Sequence, residues 1–135
     1  MAKIRHIAYR ADDVEQMVGF FVDGFGMTVA QRRKNGAVDI SDGSVNITIL
    51  PMALVRPDGR PMQAGIEHIG FTVEDDAAGR RLVESAGGVE MNTINMSDAH
   101  YEVKYAGPEG IVVDIGHWAG TAPVAEEAAA TAGRA

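Results

Sequence analysis

Cysteine is absent from the 135-residue chain, which removes disulfides, thiolate nucleophiles, zinc-thiolate sites and iron–sulfur clusters from its chemistry. Long apolar runs are missing too. None approaches the roughly 20 residues that a membrane-spanning helix needs, so no membrane partner is expected. Met1 leads straight into a strand-like pattern, without the charged and apolar segments of a secretory leader, and the expected compartment is the cytoplasm. In that compartment the sequon Asn46-Ile47-Thr48 is a chance match. Positive charge is scarce as well. Twelve Lys and Arg stand against 19 Asp and Glu, for a net charge of −7, and a field of that sign repels phosphate, so nucleic acid is not expected as a partner.

What is present is the composition of a folded globular chain, 46% hydrophobic and 23% charged, in a length that suits one domain. The chain also repeats itself. "IRHIAYR" at residues 4–10 and "IEHIGFTV" at 66–73 both set a histidine before an isoleucine in a strand-like run. Each runs on into acidic residues suited to a helix N-terminus, Asp12-Asp13 and Glu74-Asp75-Asp76, where carboxylates accept unpaired backbone N–H groups. Asp12 and Glu15 have capping-box spacing.

A first helix is predicted over Val14 to Phe25, with Val14, Met17, Val18 and Phe21 on one face. A second is predicted over about Ala77 to Ala86, stopped by Gly87-Gly88. Three strand candidates follow each helix: "MTVAQRR", "AVDIS" and "SVNITIL", then "VEMNT", "YEVKY" and "IVVDI". Turn residues at Asn35-Gly36, Asp42-Gly43 and Pro108-Glu109-Gly110 separate them. The order βαβββ thus occurs twice, in modules of about residues 4–50 and 66–118. They are joined by a Pro- and Gly-containing loop, 51–65, within a single domain of residues 1–120. Residues 121–135 have little to bury and read as a disordered tail.

Paired βαβββ modules that each open on a histidine-bearing strand, together with "GPEGIVVDIGHW" near the end, resemble the vicinal oxygen chelate superfamily of glyoxalase, bleomycin-resistance and extradiol dioxygenase proteins. The resemblance covers roughly residues 3 to 118. It implies an α+β fold in which the two modules form an open, barrel-like cleft with pseudo-twofold symmetry. It also implies a small-molecule substrate with adjacent oxygens and association as a homodimer.

By that resemblance, His6, His68 and Asp114 match a metal site. Aligning Val45-Asn46-Ile47 with Val113-Asp114-Ile115 sets Asn46 where a second carboxylate is usual, and a neutral amide is a poorer ligand. Two imidazoles and one carboxylate suit Fe²⁺, Mn²⁺, Ni²⁺ or Zn²⁺, so a divalent metal ion is the expected cofactor. Glu102, His100 and the residues of the 51–65 loop are the candidates for moving a proton. His117 is read as an interfacial or packing histidine. Lys104 stands where extradiol members carry a tyrosine, with Tyr105 one position away, which counts against ring cleavage. Two further readings stay open. In one the chain is a non-catalytic protein that sequesters a small molecule; in the other it is a purely structural subunit. Asp114 also has a plainer reading, as a strand-end carboxylate satisfied by Arg10, Lys104 or water.

Overall fold

The computed structural model describes residues 2–55, 61–91, 102–116, 118–119 and 122–123, with the backbone alone for residue 102 and for the last four. The chain is α+β. Its first half runs β1 (Lys3–Ala11), α1 (Val14–Phe25), β2 (Thr28–Arg32), β3 (Val38–Ser41) and β4 (Asn46–Pro51). The second half repeats the series as β5 (Gly65–Thr72), α2 (Asp76–Ser85), β6 (Val89–Glu90), β7 (Glu102–Ala106) and β8 (Val112–Gly116). Two further short strands, β9 (Trp118–Ala119) and β10 (Ala122–Pro123), pair with each other.

The helix starts follow from local chemistry. Asp13 caps α1 by accepting the N–H of Gln16, and Asp75 caps α2 by accepting that of Ala78. The first cap is therefore Asp13, not Asp12, because a carboxylate reaches the N–H three residues on only from the position just before the first turn. Glycine ends α1 at Gly26 (φ 70°), in the left-handed region where a Cβ is costly.

The other eight strands form one mixed sheet in the order β2-β3-β4-β1-β5-β8-β7-β6. Within each half the first and last strands pair in parallel, β1 with β4 and β5 with β8, and the halves meet through the antiparallel pair β1 and β5. In that central pair His6 faces Gly70, Ile7 faces Ile69 and Ala8 faces His68. The register is its own mirror about Ile7 and Ile69. His6 is thereby equivalent to His68, and Ala8 to Gly70.

Side-chain alternation gives the sheet two different faces. One carries Val38, Ile40 and Ile49, which form an apolar core with Val18 of α1, flanked by Val14, Met17, Phe21 and Val22. The other carries His6, Arg10, Asp39, Ser41, Asn46, Thr48 and Asp114, all buried although polar or charged. Burying such groups without partners costs several kcal/mol each, about 2–7 for a neutral one. The hydrogen bonds on this face are therefore what the fold depends on there.

The packing of the two helices differs. α1 buries Val18, whereas α2 buries none of its residues. Beneath α2 lies a cavity of ≈ 370 Å³, lined among others by Phe71, Val73, Leu82, Val83, Val113 and Ile115.

Candidate functional site

The polar face is organised as a row of in-register residues across four strands. His6 on β1 pairs with Gly70 on β5, Gly70 with Asp114 on β8, and Asp114 with Lys104 on β7. His6 and Asp114 are thus two strands apart, about 9.5 Å at the usual strand spacing. Their side chains meet only because nothing stands between them. A Cβ on Gly70 would fall 1.8 Å from His6 Cδ2 and 2.6 Å from Asp114 Oδ1. The His6 ring occupies the volume that any other residue at position 70 would fill.

Across that gap His6 Nε2 lies 3.2 Å from Asp114 Oδ1. His68 needs no such opening, since it sits on β5 beside β8, and its Nε2 lies 3.1 Å from Asp114 Oδ2. The two imidazoles meet edge to face with centroids 5.1 Å apart. Lys104 Nζ donates to the same Oδ2 at 2.9 Å. Asp114 is therefore approached by both imidazoles and by an ammonium.

The protonation states follow from the partners. Burial opposes the charge on Asp114, but Lys104, His68 and His6 together outweigh it and hold the carboxyl well below the usual carboxylate range. Burial, reinforced by the Lys104 charge, lowers the His68 pKa from its ordinary 6.5. That favours the neutral imidazole, which is the form that can ligate.

For His6 the hydrogen-bond chain fixes the tautomer. Arg33 donates to both oxygens of Asp39, Nε at 2.8 Å and Nη2 at 3.0 Å, so Asp39 can only accept. The Thr48 hydroxyl then donates its one proton to Asp39 Oδ1 at 2.6 Å, which leaves its oxygen to accept from His6 Nδ1–H at 3.3 Å. Nε2 of His6 is left aimed at an ionised carboxylate oxygen. Either a proton or a metal cation satisfies that contact.

The donor set fits a metal. Among the described residues, His6, His68 and Asp114 are the group whose ligand atoms all lie within 4.8 Å of one another. Ligands about 2.0–2.2 Å from one ion stand about 3.0–3.5 Å apart, which is the spacing that Asp114 already has to each imidazole. Three open-chain donors, one of them oriented by the Thr48–Asp39 pair, make a site of the kind whose outer partners set ligand direction.

Other expectations need placing. Register puts Asp114 beside Gly70 and Thr48 beside Ala8. Because Gly70 and Ala8 are equivalent, the counterpart of Asp114 is Thr48, not Asn46, which lies buried beside His6. By the same register Asp39 is the counterpart of Lys104. Arg10 does not reach Asp114. Its Nη1 donates to the carbonyls of Pro51 (3.0 Å), Met52 (3.3 Å) and Leu54, and its Nη2 bonds Glu67 (3.0 Å).

Tyr105 faces the helix side, where its hydroxyl meets Arg80 at 3.1 Å and Glu84 at 2.9 Å. The backbone of Glu102 pairs with Gly116, but its side chain lies outside the described residues, as do His100 and His117 entirely. The sequence assigns no role to Thr48 or Asp39, and Gly70 stands in it only as a small strand neighbour of His68. The signal for Asp39 was there in "AVDIS", an acid flanked by apolar residues just as Asp114 is in "VVDI".

Comparison with known proteins agrees with this layout. A family model for the Glyoxalase/Bleomycin resistance protein/Dioxygenase superfamily matches residues 3–115. Among curated protein sequences none matches significantly. Several solved structures share the fold. The 2,3-dioxygenase LapB from Pseudomonas sp. KL28 is 19% identical with a TM-score of 0.63, over 91% of this chain and 42% of that one. The Mn(II)-bound glyoxalase from Novosphingobium aromaticivorans is 19% identical with a TM-score of 0.62, over 84% of this chain and 36% of the other. The methylmalonyl-CoA epimerase from Mycobacterium tuberculosis is 14% identical with a TM-score of 0.58, over 94% and 91% respectively. This chain spans less than half the length of the first two and nearly all of the third.

Proposed function

Because the chain belongs to the Glyoxalase/Bleomycin resistance protein/Dioxygenase superfamily, we propose that it is a metal-dependent enzyme acting on a small molecule with two neighbouring oxygens. His6, His68 and Asp114 are its proposed ligands, and Fe²⁺, Mn²⁺, Ni²⁺ and Zn²⁺ all accept two nitrogens and an oxygen. The observation that carries the reading is the convergence of these three donors on one point, with the His6 tautomer set by Thr48 and Asp39. When bound, the ion acts as a Lewis acid that polarises and orients the substrate oxygens.

The chain's own residues do the rest. The imidazoles bring no charge and Asp114 brings one negative charge, so the site retains a positive field that attracts an anionic oxygen pair. The missing side chain at Gly70 is what lets the buried His6 ring reach Asp114. For proton movement we propose Glu102 and His100. Tyr105 turns toward Arg80 and Glu84, which favours lyase or isomerase chemistry over ring cleavage. A homodimer is the proposed assembly, to be checked by sedimentation against the mass of one chain.

A second reading, sequestration of a small molecule without turnover, is favoured by the Lys104–Asp114 ion pair, which gives the carboxylate a cation within the chain. Metal content separates the two. Protein purified without chelator should hold one transition metal per chain, and His6→Ala and His68→Ala should each lose it while keeping the circular dichroism of the parent. Metal-free parent protein that still binds small molecules would favour sequestration.

A further inference from the structure

On the helix side of the sheet the two halves carry matching apolar strands under helices that do not match. Register makes Phe71 the counterpart of Tyr9, and Val113 and Ile115 those of Ile47 and Ile49. In the first half these positions share one apolar core with Met17, Val18 and Phe21 of α1. Counted from the two caps, Asp13 and Asp75, α2 has Gly79 where α1 has Met17, Arg80 where it has Val18, and Val83 where it has Phe21. Arg80 bonds Tyr105 and Glu90 instead of entering the space beneath its helix. The cavity of ≈ 370 Å³ under α2 is the volume that these replacements leave.

We propose that this cavity is a second binding site, for a small uncharged aromatic molecule with a short alkyl arm. The first half shows the chemistry of the occupant, since there a Phe21 ring and a Met17 chain cover the equivalent strand positions. Size agrees. An apolar void of about 150 Å³ holds benzene, so ≈ 370 Å³ takes a ring and an arm, within the range of ordinary ligand pockets. The side chains of Phe71, Val73, Val83, Val113 and Ile115 that line it offer dispersion contacts and no hydrogen bonds. Leu82 lines it too while 72% exposed, so the cavity reaches the surface there. Among the described lining residues the charged ones are Glu74 and Asp75, both exposed, and carboxylates at the mouth disfavour an anion. The cavity is on the opposite face from His6, His68 and Asp114, and the inference does not rest on the metal reading.

The test is calorimetric titration of the full chain with ethylbenzene and with 3-phenylpropionate, for the parent, Ala78→Leu and Gly79→Met. Ala78 lines the cavity, so leucine there fills it. Gly79→Met copies α1 and is the second filling variant in case the first packs poorly; its Cβ would meet Val73 Cγ1 at 3.1 Å, a contact that a small shift relieves. The parent should bind one ethylbenzene per chain and 3-phenylpropionate at least about tenfold more weakly, since the buried arm would carry the charge toward the acidic mouth. Each filling variant that keeps the circular dichroism of the parent should lose at least about tenfold in ethylbenzene affinity. No ethylbenzene binding by the parent, or equal binding by parent and folded variants, would overturn the site. Equal affinity for the two probes would overturn the choice of an uncharged ligand. A parent dimer that takes up no ethylbenzene and that Leu82→Asp converts to a monomer in sedimentation would give this face to a second copy of the chain, and would overturn the inference as well.

Discussion

Replacing Gly70 with alanine adds a single methyl group, and its consequences can be worked out from the sheet. The backbone at position 70 is not in the left-handed region, so alanine is acceptable there as far as the strand is concerned and should even be favoured by about 0.5–1 kcal/mol. The cost is local. The new Cβ would lie 2.0 Å from His6 Nε2 and 2.6 Å from Asp114 Oδ1, distances that no relaxation within the ring plane relieves. His6 must rotate away, losing a hydrogen bond to a charged group worth about 1.5–3 kcal/mol, and residual crowding adds about 1–3 kcal/mol.

The net expectation is a destabilisation of about 2–5 kcal/mol. For a domain of this size that lowers Tm by roughly 6–20 °C. Thermal unfolding by circular dichroism measures it, with Gly19→Ala as the control. Gly19 lies in α1 with open space around its Cβ direction, and there alanine should be neutral or stabilising. Metal affinity should fall in Gly70→Ala and not in Gly19→Ala. A Gly70→Ala protein that melts with the parent and binds metal equally would refute the placement of the His6 ring over Gly70.

Other expectations follow from the same face and its neighbours. Thr48→Val removes the acceptor of His6 Nδ1–H and should weaken metal binding about 10–100-fold while leaving the fold intact, as titration of a folded variant would show. Arg10→Met breaks a buried pair with Glu67 and strips donors from the Pro51 to Leu54 carbonyls. It should cost about 3–5 kcal/mol in urea unfolding, and the double variant with Glu67→Met should recover part of the loss. Because α2 buries no side chain and α1 does, amide exchange should be at least about tenfold faster in α2 than in α1 by hydrogen–deuterium mass spectrometry.

Much of this architecture is legible in the sequence because the determinants are local. The two histidine strands, the acidic caps and the Gly-containing turns each act within a few residues, so the doubled βαβββ order and the equivalence of His6 with His68 emerge without coordinates. What resists reading is register. Val45-Asn46-Ile47 and Val113-Asp114-Ile115 look alike, and sliding a strand by two residues keeps every side chain on the same face. Apolar pattern therefore cannot tell Asn46 from Thr48 as the counterpart of Asp114; only the registers of β4 on β1 and of β8 on β5 can. Gly70 was legible as a small residue but not as the opening through which His6 reaches Asp114, since those two residues lie 108 positions apart in the chain. The Arg33–Asp39–Thr48 chain combines a short hairpin with a pairing nine residues on, and its link to His6 exists only once the sheet has formed.

The central claim is that His6, His68 and Asp114 converge on one metal ion, and anomalous diffraction from crystals grown with Mn²⁺ tests it most directly. A single peak within about 2.3 Å of both Nε2 atoms and an Asp114 oxygen is the result expected. A map with no peak there at saturating Mn²⁺ would contradict the account.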